Sequence, residues 1–185
     1  YRAVEKNNPK TFNVLVMGPW KHGGWAHGKG DSLGHLGFGI RTGEEFRSKV
    51  QFPFFMKYLN DAPADIAEAT MFLTGINEFR RLPSWPPAAA KPRTFYLGEK
   101  GRLSSAAPRS SDAFDEYVGD PNRPVPYIED VVPGMTGDYM TEDQRFASRR
   151  PDVLVYSTGP LEEDLIIAGP IRVKLHVSTT GTDAD

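Results

Sequence analysis

Two textures of hydrophobic and polar positions follow one another along the chain. Phe12 to Met17, FNVLVM, is a short unbroken apolar run that stops at Gly18-Pro19. Such a run predicts a strand buried on both faces, as in a parallel sheet. Residues 18–43 hold nine of the eighteen glycines, so this stretch is predicted as irregular loop. A helical pattern then begins at Thr42. Thr42-Gly43-Glu44-Glu45 has the form of a capping box, with the Thr hydroxyl facing the amide three residues on. Phe46, Val50, Phe54, Tyr58 and Leu59 recur at helical spacing. Pro53 falls inside this run and should kink or split it.

From Ala69 the periodicity shortens. ATMFLT (69–74), RTFYLG (93–98), DEYV (115–118), DVLVYST (152–158) and LIIAG (165–169) read as short strands. Ile171, Val173, Leu175 and Val177 alternate with polar residues, the pattern of a strand with one buried face. Polar, Pro-rich stretches such as 103–112 and 119–126 separate the strands as loops. The expected architecture is therefore the C-terminal edge of an α/β domain, as strand–loop–helix, followed by an all-β sandwich. The change of texture puts the boundary near residues 60–68, giving units 1–64 and 65–185. Both are expected to be incomplete, because neither end of the sequence looks like a domain-closing element.

Composition narrows the function classes. With 39% hydrophobic and 25% charged residues the 185-residue chain has the balance of a globular protein. A net charge of -2 gives no electrostatic reason to expect nucleic acid or an anionic membrane as partner. No apolar run approaches the length of a membrane span. With no Cys, disulfides, thiolate metal sites and a cysteine nucleophile are excluded within these residues. The sequence opens at Tyr1 rather than an initiator Met, so no compartment is expected from a targeting segment.

Three constellations carry candidate chemistry. Gly18-Pro19-Trp20-Lys21-His22 lies just after the buried run, and ligands of open α/β sheets bind beyond the carboxyl ends of strands. A histidine there can take and return a proton near neutrality, since its unperturbed pKa is about 6.5. A loop histidine without a catalytic role is the plain alternative. Gly30-Asp31-Ser32-Leu33-Gly34 matches G-x-S-x-G and contains the GDSL string of another esterase family. A nucleophile elbow requires a strand before the serine and a helix after it, and neither flank fits. Ser32 also follows His22, the reverse of the α/β-hydrolase order, and no histidine has an Asp three residues before it as a GDSL enzyme requires. Finally, His22, His27, Asp31 and His35 are close enough in sequence to consider zinc, though no pair has a recognised zinc spacing. His176 falls on the polar side of its expected strand, and Trp20, Trp25 and Trp85 are expected to pack.

The segment VLVMGPWKHGGW (14–25) resembles the histidine loop of the cocaine esterase, X-prolyl dipeptidyl-peptidase and α-amino acid ester hydrolase superfamily, which includes cephalosporin acylases. The resemblance continues through FFMKYL (54–59), TGINEFRRL (74–82) with Trp85-Pro86, TFYL (94–97), RPDVL (150–154), Ala168-Gly169-Pro170 and Asp183-Ala184-Asp185. The later motifs are similar to that group's C-terminal jelly-roll domain. YRAVE (1–5) leans toward the amino acid ester hydrolase branch.

The resemblance implies that His22 completes a Ser–Asp–His triad. The serine, the aspartate and the oxyanion site would lie outside this chain, since in that group they precede the histidine motif. It implies hydrolysis of a small ester or amide, acyl or α-aminoacyl, without metal or organic cofactor. It also implies an intact enzyme that can be a homo-oligomer and is often exported. On this reading the chain by itself is inactive. A non-catalytic β-sandwich binding module, for carbohydrate for example, is the alternative from another class. The strand–GPWKH–helix unit speaks against it, because a free-standing module has no need of one.

Overall fold

The computed structural model describes residues 1–182 apart from Ser111 and Met135. The motif Asp183-Ala184-Asp185 lies outside the described residues. The chain divides into two compact units, one of residues 1–88 with 133–142, the other of residues 89–132 with the remainder from 143.

In the first unit, helix α1 (Arg2–Asn7) leads into strand β1 (Leu15–Met17). A small antiparallel hairpin follows, β2 (Ser32–Leu33) with β3 (Leu36–Gly37). Next come α2 (Thr42–Phe46) and α3 (Phe52–Asn60), then β4 (Ala69–Leu73) and β5 (Glu78–Leu82). The sheet order is β1-β4-β5. β1 and β4 run parallel, with Leu15 opposite Ala69 and Met17 opposite Met71. Parallel neighbours need a long crossover, which the helices supply. β5 returns antiparallel to β4 through a turn with Gly75 and Asn77 at positive φ. The expected change of texture at residues 60–68 thus falls in the connection between α3 and β4, inside this unit.

β4, flanked on both sides, is the most buried strand, with Ala69, Thr70 and Met71 all inside. β1 is shorter than the apolar run that encodes it. It is only half-buried, and Met17 is exposed. The expectation of burial on both faces is corrected here: Leu15 and Val16 are half-buried and Met17 is exposed, and among the described residues β1 has a ladder partner on one edge alone.

The helical run from Thr42 to Asn60 is continuous, but its middle is a π-turn over Arg47–Gln51. This is the form the expected break takes. Pro53 has no N–H to donate, so hydrogen bonding cannot continue regularly through it, and α3 restarts with Pro53 in its first turn. The capping box does not form. Arg41 is the N-cap, and its carbonyl accepts the Glu45 amide at 2.9 Å. The Thr42 hydroxyl turns away from the helix to the preceding loop, where it has the two partners described below.

The core of this unit is aromatic. Trp20 packs on Phe46 and Phe79 at centroid separations of 5.2 and 6.1 Å, and Phe72 packs on Phe79 and Phe38 at 5.2 and 5.3 Å.

In the second unit, β6 (Tyr96–Gly98) pairs with β7 (Arg102–Ser104), and Ser157 adds one bridge to Arg102. The predicted strand at 93–98 is therefore present in part. Its partner β7 falls in a stretch expected to be loop. Residues 115–118, 165–169 and 171–178, expected as strands, join no ladder among the described residues. Ile171, Val173, Leu175 and Val177 are 57–84% exposed, so the alternation there has no buried face. A strand pattern becomes a strand only with a partner for its hydrogen bonds and a surface to cover it. Arg150 organises part of this unit. Its Nε and Nη2 donate to Asp152 at 2.8 and 2.5 Å, and Nη2 also donates to the Arg123 carbonyl at 2.7 Å.

Candidate active-site loop

The loop after β1 turns twice within a few residues. The Trp20 amide donates to the Gly18 carbonyl at 2.9 Å, a three-residue turn centred on Pro19, whose fixed φ suits that position. The indole folds back over Gly18, where a Cβ would lie 2.3 Å from the ring; only glycine permits this. The Gly24 amide then donates to the Lys21 carbonyl at 2.8 Å. This second turn places His22 next to Gly23, whose φ of +75° is one that glycine adopts freely.

His22 stands at the tip of that turn, exposed, beyond the carboxyl end of β1. Its ring meets Trp25 edge-on at 6.1 Å between centroids. Among the described residues its nitrogens make no hydrogen bond, and the side chain is exposed.

The loop is fastened to the start of α2. The Trp20 Nε1–H donates to Thr42 Oγ1 at 2.8 Å, and the Thr42 hydroxyl donates to the Gly30 carbonyl in a short contact. Thr42 is fully buried. The amides of Thr42 and Gly43 donate to the carbonyls of Gly30 and Lys29 at 3.3 and 2.9 Å. These are first-turn amides that no helical carbonyl can satisfy. Arg47 donates from Nη1 to the Trp25 carbonyl at 2.9 Å and from Nη2 to the Gly28 carbonyl at 2.7 Å.

Ser32 sits on β2, at one side of a two-residue hairpin turn, and not on a strand-to-helix elbow. It shares a cavity of about 440 Å³ with Trp20, Lys21, His27 and Asp138, and His22 does not line that cavity. His22, His27, Asp31 and His35 do not converge; among the described residues no three His, Asp or Glu side chains form a ligand cluster. His176 is exposed, on a segment without a ladder partner. Of the tryptophans, Trp20 packs as expected on Phe46 and Phe79, and Trp25, though partly exposed, packs on Trp20 at 6.4 Å and stands beside His22. Sequence reasoning missed Arg47, which had no signal beyond one charge in a helical pattern. It found Thr42, but for a capping role that the structure does not give it.

The chain thus joins an α/β unit with a histidine loop to a unit whose regular structure, among the described residues, is the β6–β7 hairpin, a 3-10 turn at Glu99–Gly101 and a short helix at Arg145–Ser148. The sequence model described as the X-Pro dipeptidyl-peptidase C-terminal non-catalytic domain matches residues 60–185. The chain belongs to that family. It is 30% identical over 184 residues to the cocaine esterase of Rhodococcus sp. (strain MB1 Bresler), covering 92% of this chain and 31% of the esterase. Two solved structures superpose on it with a TM-score of 0.78. One is an aminopeptidase from a marine sediment Thaumarchaeota archaeon, at 38% identity over 88% of this chain and 28% of its own. The other is an α-amino acid ester hydrolase, at 39% identity over 91% and 30%. The chain therefore spans about a third of the length of these relatives. The family match begins at residue 60, and the His22 loop precedes it.

Proposed function

We propose that this chain supplies the general-base histidine, His22, of a serine hydrolase that cleaves a small ester or amide, acyl or α-aminoacyl. The observation that carries the proposal is the His22 turn. It is held beyond a parallel strand, with its imidazole exposed. A serine from another part of the enzyme attacks the substrate carbonyl while His22 accepts the hydroxyl proton. His22 then returns that proton to the leaving alcohol or amine, and the acyl-enzyme forms. Water, deprotonated by the same imidazole, attacks the acyl-enzyme; the acid is released and the serine regains its proton. The nucleophile and the acid that orients His22 come from outside these residues. The edge of β1 that has no ladder partner among the described residues fits this reading, since further strands of a larger sheet could pair there.

Residues 60–185 have a different role in this proposal. The family description calls that domain non-catalytic. Here it is a β-rich partner of the catalytic part, and a binding role for it is the second reading. The test is labelling of the full-length gene product with a serine-directed fluorophosphonate. The reaction should be fast in the wild type and slowed strongly in His22→Ala. Equal labelling rates in the two proteins would refute the base assignment.

A further inference from the structure

A catalytic base on a glycine-rich turn poses a physical problem. Gly23, Gly28 and Gly30 all have positive φ, a region where glycine is unrestricted, so the backbone around His22 has little intrinsic stiffness. Catalysis needs that imidazole held to within a fraction of an ångström. Something outside the turn must supply the rigidity.

Resting on the reading of His22 as a general base, we infer that Arg47 is the positioning residue that fixes it. The guanidinium is planar and its donors are set in a rigid fork. Here the two arms of the fork reach two carbonyls of the same loop, Trp25 at 2.9 Å and Gly28 at 2.7 Å. They pin the backbone on the far side of the His22 turn. The Trp25 indole, carried by that pinned residue, stands edge-on to the His22 ring. The other side of the loop is held by Trp20 and Thr42. His22 is thus suspended between two anchors, one at Trp20 and one at Trp25.

Gly43 allows the arrangement. A Cβ there would meet the Lys29 carbonyl oxygen at 3.1 Å and Arg47 Nη1 at 3.2 Å, so any larger residue would push helix and loop apart by a few tenths of an ångström. Arg47 itself opens the π-turn, a distortion that recurs at functional sites. Lysine is not equivalent at this position, because one ammonium lacks the planar fork that spans two fixed carbonyls.

The test uses the full-length enzyme and an activated ester, with Arg47→Ala, Arg47→Lys and His22→Ala measured side by side. Arg47→Ala should lower kcat by about 10²-fold, the scale of a misplacement near 1 Å, while KM changes little. Added guanidinium ion should restore part of that kcat and leave the wild type and His22→Ala unaffected. Arg47→Lys should lie between Arg47→Ala and wild type, and it supplies the same reading if the alanine variant folds poorly. The inference is overturned if both Arg47 variants keep the wild-type kcat, if the loss falls on KM, or if guanidinium restores nothing. A wild-type kcat in His22→Ala is a separate failure: it removes the base assignment itself, whatever Arg47 does.

Discussion

Replacing Thr42 with Val tests the anchor of the histidine loop. The side chains are nearly the same shape, so packing around this fully buried position changes little. The hydroxyl is lost, and with it the acceptor of the Trp20 Nε1–H and a donor to the Gly30 carbonyl. The Gly30 carbonyl keeps one partner, the Thr42 amide at 3.3 Å. The indole N–H loses the acceptor it has. A buried donor left unsatisfied costs about 1–3 kcal/mol, so a loss of about 2 kcal/mol is expected. For a chain of this size each kcal/mol moves Tm by about 2–4 °C, which gives a fall of about 4–8 °C. Thr42→Ser keeps the hydroxyl and loses one methyl, worth about 0.8 kcal/mol by burial, so it should be the milder change. The assay is urea and thermal unfolding of the 185-residue chain at high dilution, followed by tryptophan fluorescence. A double-mutant cycle with Trp20→Phe isolates the pair, and it should show coupling above the ~0.5 kcal/mol scatter of independent sites. Valine as stable as threonine, serine worse than valine, or a purely additive cycle would each refute the reasoning.

Three further outcomes follow from the structure. The Tyr1 hydroxyl donates to Glu68, and that bond, then burial and the carboxylate charges, push its pKa up to about 12. The contribution of this contact should be intact below the ordinary tyrosine value of about 10 and vanish as pH rises through the folded value. Ultraviolet titration of Tyr1→Phe against wild type should remove one late-titrating phenol; an unchanged curve would contradict this. The Arg150 hydrogen bond holds the Asp152 carboxyl below the usual carboxylate range. Its contribution is present above the unfolded carboxylate pKa and lost as pH falls through the folded one. Asp152→Asn should therefore destabilise the chain at neutral pH and converge with wild type in acid, and parallel curves would rule that out. The 185-residue chain alone should not react with a fluorophosphonate, because Ser32 lies on a hairpin and not on an elbow. Stoichiometric modification of Ser32, located by peptide mass spectrometry, would revive the esterase reading of that loop.

Local patterns with a strong physical cause were legible in the sequence. The apolar run 12–17 marked β1, the helical spacing from Phe46 marked the crossover, and Pro53 marked its irregular middle. The GPWKH motif led to the loop that the structure sets beyond β1. Properties that depend on partners distant in sequence were not legible. β5 carries Arg80 and Arg81 and reads as polar, yet it forms because β4 offers it a full antiparallel edge. β7 lies in what looks like loop and forms because Lys100 and Gly101, both at positive φ, turn the chain back onto β6. Residues 171–178 have the better strand pattern and no ladder, since a pattern cannot provide its own neighbour. Thr42 illustrates the same limit at a single side chain. Its spacing to Glu45 predicts a cap, but the half-buried Trp20 indole and Gly30 carbonyl take the hydroxyl instead.

The most direct test compares His22, His27 and His35 in the full-length protein. His22→Ala should reduce kcat by at least the ~10²–10⁴ that a general base contributes, with KM little changed. His27→Ala and His35→Ala should remain close to wild type, because neither stands on the turn beyond β1. Comparable losses at all three positions, reversed by added zinc, would contradict the account and make the loop a metal site.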